Sequence, residues 1–228
     1  SVLKLKKFIS LGITQTIDTS HAIADINTSG VKRHVDVARR KENLLGTNQF
    51  PNFNEKALDK IETESGCACG CSNGEVADGA VESLIFDRAA SQFEQLRLDT
   101  ERSGKRPKVF MLTIGNLAMR LARAQFSANF FACAGYEIID NIGFNTVEEG
   151  VDAAMAKGAD VVVLCSSDDE YAEYAPAAFK YLNGRAMFAV AGNPACTDDL
   201  KALGIEHFIH VRVNVLDTLV DFNAKLLK

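Results

Sequence analysis

Three thiols stand two residues apart at Cys67, Cys69 and Cys71, in a run of Glu, Gly, Ser and Cys. Thiolates this close together in a glycine-containing stretch are able to capture a soft metal ion. Structural zinc sites space their cysteines more widely and add a fourth ligand, and the run has neither. No metal is therefore expected, and the three thiols are kept as the weaker alternative. Cys133 and Cys165 sit in apolar runs, where a free cysteine behaves as a small hydrophobe. Imidazole chemistry has four candidates, at 21, 34, 207 and 210. His207 and His210 would point to opposite faces of an extended strand, which argues against a shared metal site. Asp168, Asp169 and Glu170 crowd three carboxylates together. Such a group can accept protons or bind Mg²⁺, but acidic residues at a helix N-terminus are favourable without chemistry, so capping is the expectation. No Gly-x-Ser-x-Gly, Walker A or Gly-x-Gly-x-x-Gly pattern occurs. No catalytic residue stands out.

The remaining candidates depend on the elements that would carry them. From residue 107 onward, strand-like apolar runs alternate with helical patterns. The runs are Lys108–Ile114, Tyr136–Ile139, Asp160–Cys165, Ala186–Ala191 and Glu206–Val211. Helical stretches near 116–134, 146–157, 170–182, 196–203 and 213–227 follow them. Continuous β-rich runs indicate strands covered on both faces. Repeated βα units with short glycine-containing turns predict an α/β fold, a five-stranded parallel doubly wound sheet of the flavodoxin-like type. Ligands of such sheets bind beyond the C-terminal strand ends at the switch in strand order. The turns there hold Gly115-Asn116, Ser166-Ser167 and Gly192, the last after strand four. Glycines let a ligand approach the backbone and serines can donate to it, although the same residues are ordinary turn formers.

The first helix of this region is unusual. Leu117, Leu121, Ala124, Ala128 and Phe131 line one side, while Met119, Ala122, Phe126, Phe130 and Cys133 line another. A helix apolar over most of its circumference is expected to be buried all round, one side on the sheet and the other on a further domain or partner.

Composition narrows the class. With 25 Lys+Arg against 30 Asp+Glu the net charge is −5, and 47% apolar with 24% charged residues is ordinary for a water-soluble globular chain. The mildly acidic balance lacks the footprint of a nucleic-acid binder, and no run approaches the roughly 20 apolar residues of a spanning helix. Neither nucleic acid nor membrane is an expected partner. Ser1 to Lys7 is charged and lacks a signal-peptide core, so a reduced, cytoplasmic thiol set is expected. The start at Ser rather than Met fits a piece of something longer. Residues 1–53 form a mainly helical N-terminal segment, with Ile23, Ile26, Val31, Val35 and Ala38, too small to close its own core. Residues 54–106 form a connector whose later part, Ala80–Arg102, has Val81, Leu84, Ile85, Ala89, Phe93 and Leu96 at helical spacing. Residues 107–228 carry the α/β domain.

Two strings are familiar. Arg106 through Gly143, RPKVFMLTIGNLAMRLARAQFSANFFACAGYEIIDNIG, and Arg40 through Phe53, RKENLLGTNQFPNF, resemble the C-terminal part of the small subunits of methylmalonyl-CoA mutases. The resemblance implies that residues 1–53 are the C-terminal remnant of a β/α barrel and that 107–228 is a cobalamin-binding-like domain. It also implies a heterodimer whose large catalytic subunit binds adenosylcobalamin and interconverts methylmalonyl-CoA and succinyl-CoA. In that subunit the cofactor domain carries Asp-x-His-x-x-Gly after strand one, with the His on cobalt and the Asp behind it, then Ser-x-Leu and Gly-Gly after strands three and four. Here the first element reads Asn116-Leu-Ala-Met-Arg-Leu-Ala122, with no Asp and no His. Ser166-Ser167-Asp168 keeps the serines without the Leu, and Ala191-Gly192 keeps one glycine. The resemblance thus implies a non-catalytic small subunit that binds no cofactor itself, with Leu117 and Met119 filling the lost site. The alternative is a true ligand-binding domain, in which Gly115, Asn116, Met119, Ser166, Ser167 and Gly192 hold cobalamin without an axial His, or another nucleotide-like molecule.

Overall fold

The computed structural model describes residues 19–56 and 88–227. Cys67, Cys69 and Cys71, and the expected helical positions Val81, Leu84 and Ile85, lie outside them. Helix α1 spans Thr19–Ala38 and α2 spans Ser91–Arg102. Five βα units follow: β1 Lys108–Thr113 and α3 Leu117–Ala132, β2 Glu137–Ile139 and α4 Val147–Ala156, β3 Val161–Cys165 and α5 Tyr171–Leu182. The last two are β4 Met187–Val190 with α6 Thr197–Ala202, and β5 His207–Phe208 with α7 Val215–Leu226.

All pairings are parallel, in the order β2-β1-β3-β4-β5. This is the flavodoxin-like α/β fold expected, with the switch in order between β1 and β3. Consecutive residues of β1 and β3 face opposite ways, and both faces are covered. Val109, Met111, Val161, Val163 and Cys165 join a core with residues of α3, α7 and α2, whereas Phe110, Leu112, Val162 and Leu164 join one with α4, α5 and α6. That double burial is why the strands read as unbroken apolar runs. Asn116, Thr146 and Asn214 start α3, α4 and α7 as N-caps, each accepting from a backbone N–H three residues on.

The segment before the sheet is sewn to it. Phe93 and Leu96 of α2 lie in the same core as β1. Asn223 of α7 accepts from the Tyr136 hydroxyl at 2.6 Å, and its amide reaches Thr100 Oγ1 at 3.1 Å and the Leu96 carbonyl at 3.3 Å. Arg97 donates to the carbonyls of Asn52 and Glu55, at 2.7 and 2.8 Å. Arg40 donates to the Asn129 carbonyl at 3.1 Å and lies over the Phe130 ring, 5.7 Å from its centre.

Several expectations change in detail. Helix α3 is not buried all round. Its buried residues, Ala124, Ser127, Phe130, Phe131 and Ala132, lie from the middle of the helix onward, while Leu117 and Leu121 are 59% and 48% exposed. Helix α1 likewise exposes Ile26, Val31 and Val35 and buries only Val37 and Ala38 among its described side chains. Strand β5 stops at Phe208 because only Ala189 and Val190 of β4 are there to pair with it. His210 therefore lies beyond the strand, its Nδ1 accepting from the Arg212 amide at 3.3 Å. Leu45 and Gln49 form an isolated bridge that closes a turn at Gly46–Asn48.

Candidate functional site

The turns after β1, β3 and β4 meet at the C-terminal edge of the sheet, and a side chain of the chain itself stands among them. Glu170, at the start of α5, reaches across to the first turn. Its carboxylate accepts from the Asn116 amide at 3.1 and 3.2 Å, from the Ser166 hydroxyl at 2.5 Å and from the Ser167 amide at 3.2 Å. Gly115 makes room for it. Its φ of +77° suits a residue without a Cβ, and a Cβ built there would collide with the Glu170 carboxylate. The expectation that the acidic cluster caps its helix is thus corrected, because no side chain caps α5 at Glu170.

Two arginines of α3 finish the closure. Arg120 donates to the carbonyls of Gly115 and Ile142, at 3.3 and 3.2 Å, and lies against Gly143. Arg123 pairs with Asp168 at 2.9 Å. Gly192 packs under that pair, where a Cβ would come within 3.1 Å of Asp168 Oδ1 and 3.0 Å of the Tyr171 ring. The buried Tyr171 hydroxyl donates to the Ala191 carbonyl at 2.6 Å and accepts from the Ser166 amide at 3.1 Å, tying β3 to β4. Burial pushes that phenol well above its ordinary range.

The electrostatics argue against acid–base work. The hydrogen bond from Ser166, with those from Ser167 and Asn116, holds the Glu170 carboxyl down at about 2. A carboxylate that weakly basic is a poor acceptor for the Ser166 proton at neutral pH, so the pair is no activated nucleophile. Burial raises the Cys165 thiol to about 12, which leaves it inert. Among the described residues no group of three His, Cys, Asp or Glu is placed to hold a metal ion.

No protein-family model matches the chain. It is 60% identical to the methylmalonyl-CoA mutase small subunit of Porphyromonas gingivalis (strain ATCC BAA-308 / W83) over 225 residues, 96% of this chain and 35% of that protein. Over nearly all of its length the chain is thus similar to methylmalonyl-CoA mutase small subunits. It is also 31% identical to the small subunit of Streptomyces virginiae, over 85% of this chain and 30% of that protein. Identity to the small subunit of Propionibacterium freudenreichii subsp. shermanii is 26%, over 91% and 31%. The chain thus spans about a third of the length of these relatives.

The residues singled out from sequence divide into two groups. Gly115, Asn116, Ser166 and Ser167 surround one carboxylate, with Gly192 a short way along the same edge. Met119 is different. Its amide donates to the Asn116 cap, but its side chain and that of Leu117 face outward, 36% and 59% exposed. The polar side chain of Glu170 fills the first turn in their stead. Cobalamin does not fit this arrangement. Position 116 and the residues after it offer no imidazole, and Glu170 and Arg120 occupy the space above Gly115 and Gly143. Sequence reasoning missed Arg120, Arg123 and the reach of Glu170. The available signal was charge: two cations one helical turn apart after the first strand, and three anions after the third.

Proposed function

We propose that this chain is the C-terminal portion of a non-catalytic small subunit of a heterodimeric, adenosylcobalamin-dependent methylmalonyl-CoA mutase, working in the cytoplasm. The partner is the large catalytic subunit, which holds the cofactor and interconverts methylmalonyl-CoA and succinyl-CoA. This chain supports that subunit by docking and brings neither a catalytic residue nor a cofactor of its own. The observation that carries the reading is the ligand edge closed by Glu170 in a chain 60% identical to a mutase small subunit. The apolar side chains left exposed beside it, Leu117, Leu121 and Ile142, are what a surface covered in a larger assembly displays. Free thiols at Cys133, Cys165 and Cys196 suit a reducing compartment, and no described helix is long and apolar enough to cross a membrane.

Mixing the chain with the large subunit at micromolar concentration and separating by size tests the partnership. Co-elution in equal stoichiometry is expected, and failure to associate sinks it. A separate titration with adenosylcobalamin and hydroxocobalamin, followed by cobalamin absorbance and heat, tests the cofactor statement. No binding is expected at tens of micromolar. Saturable binding would overturn the reading of the closed edge while leaving the partnership standing.

A further inference from the structure

The Glu170 contacts have the make-up of a bound ligand more than of an ordinary ion pair. Among the described residues no cation faces the carboxylate within salt-bridge distance. Its partners are two backbone amides, from Asn116 and Ser167, and the hydroxyl of fully buried Ser166. The amides, of Asn116 and Ser167, come from turns far apart in sequence, held together by the β1–β3 pairing that ends at Thr113 and Cys165. The Asn116 amide is the cap position of α3, at the positive end of that helix, where an anion is favoured. Gly115 lets the carboxylate lie directly against the backbone, since a Cβ there would come within 2.7 Å of Glu170 Oε1 and closer still to Oε2.

We propose that the Gly115-Asn116 and Ser166-Ser167 turns form a carboxylate-binding cradle, occupied in cis by Glu170. The edge at which this fold takes ligands is then shut by the chain's own side chain acting as the ligand. An outside carboxylate reaches the cradle only by displacing Glu170. The donors belong to the backbone and to one buried hydroxyl, so they persist when Glu170 is removed. This is independent of the large subunit and stands or falls without it.

The experiment uses the full chain, Glu170→Ala and Glu170→Gln variants, and sodium acetate as the probe, with sodium chloride at equal ionic strength as the control. Amide resonances of Asn116 and Ser167 are followed by NMR. In Glu170→Ala both amides should shift together and saturably with acetate. In the parent chain and in Glu170→Gln, where the cradle is filled, acetate should do nothing. A folded Glu170→Ala chain whose two amides ignore acetate overturns the proposal, and so does an equal response in the parent chain. Should Glu170→Ala not fold, hydrogen exchange in the isosteric Glu170→Gln decides. Losing the charge-assisted bonds should speed exchange of both amides about tenfold, whereas unchanged exchange refutes the cradle.

Discussion

Replacing Asn223 by Leu should unfasten the linker helix from the sheet domain, and the cost can be worked from the contacts. The side chain is 9% exposed and joins three elements: Tyr136 ahead of β2, α2 through Thr100 and Leu96, and α7 itself. Leucine keeps the volume and removes every bond. The Tyr136 hydroxyl, fully buried and holding the shortest of these contacts at 2.6 Å, is left without a partner, costing about 1–3 kcal/mol. Thr100 Oγ1 keeps its 3.1 Å bond to the Leu96 carbonyl, so the rest of the network adds only about 1 kcal/mol. The expected loss is about 3 kcal/mol. Tyr136→Phe alone should cost about 1 kcal/mol, because the Thr100 hydroxyl can turn from the Leu96 carbonyl to the Asn223 carbonyl that Tyr136 leaves. In the double variant the orphaned hydroxyl is gone, so the two losses should not add, and the coupling should be about 1–2 kcal/mol. Urea unfolding of the four chains reads each value, and hydrogen exchange in α2 should rise selectively in Asn223→Leu. Strict additivity, or an Asn223→Leu chain as stable as the parent, would refute the claim that this network holds α2 in place.

Glu170 gives a pH prediction. Its folded carboxyl lies at about 2, below the ordinary 4.5, so its stabilisation is whole above roughly pH 4.5 and fades as pH falls toward 2. Glu170→Gln should cost about 1 kcal/mol at pH 7 after allowing for solvent screening of this surface group, and nothing near pH 2. A stability gap between the two chains that is the same at both pH values would exclude the carboxylate as the cause. Gly115→Ala forces a side chain into left-handed backbone and into the carboxylate, so about 1–3 kcal/mol should be lost in thermal or urea unfolding. Cys133 and Cys165 are buried with raised thiol pKa values, whereas Cys196 is half-buried. Peptide mapping after brief iodoacetamide treatment of the native chain should therefore find Cys196 labelled well ahead of the other two, and equal labelling would contradict the burial.

The sheet was legible in the sequence because burial on both faces writes itself into composition. Residues such as Val161, Val162 and Val163 have no polar alternation to blur them. Helix boundaries were legible where Asn116, Thr146 and Asn214 supply caps. Periodicity failed on α3, since a pattern of apolar residues states that a surface wants cover without stating whether this chain provides it. Leu117 and Phe131 look alike in sequence, yet one is exposed and the other is in the core. The site residues were legible as a set of turns, because fold topology alone brings Gly115, Ser166 and Gly192 to one edge. What they hold was not. Glu170 finds Asn116 across 54 residues, and no local spacing encodes a contact between two loops.

The C-terminal edge of such a sheet poses a physical problem that the chain must solve. The amides of the β1–α3 and β3–α5 turns point outward whether or not a ligand is there, and glycine at 115 keeps a hole above them. Filling that hole with Leu117 or Met119 would cover the donors with hydrocarbon and leave them unsatisfied, at about 1–3 kcal/mol each. A carboxylate from the neighbouring helix satisfies both amides and the Ser166 hydroxyl at once and keeps its outer face in water. Polar closure is therefore the cheaper solution. It also accounts for the outward turn of Leu117 and Met119, because with Glu170 in the hole neither apolar side chain has anywhere inside to go.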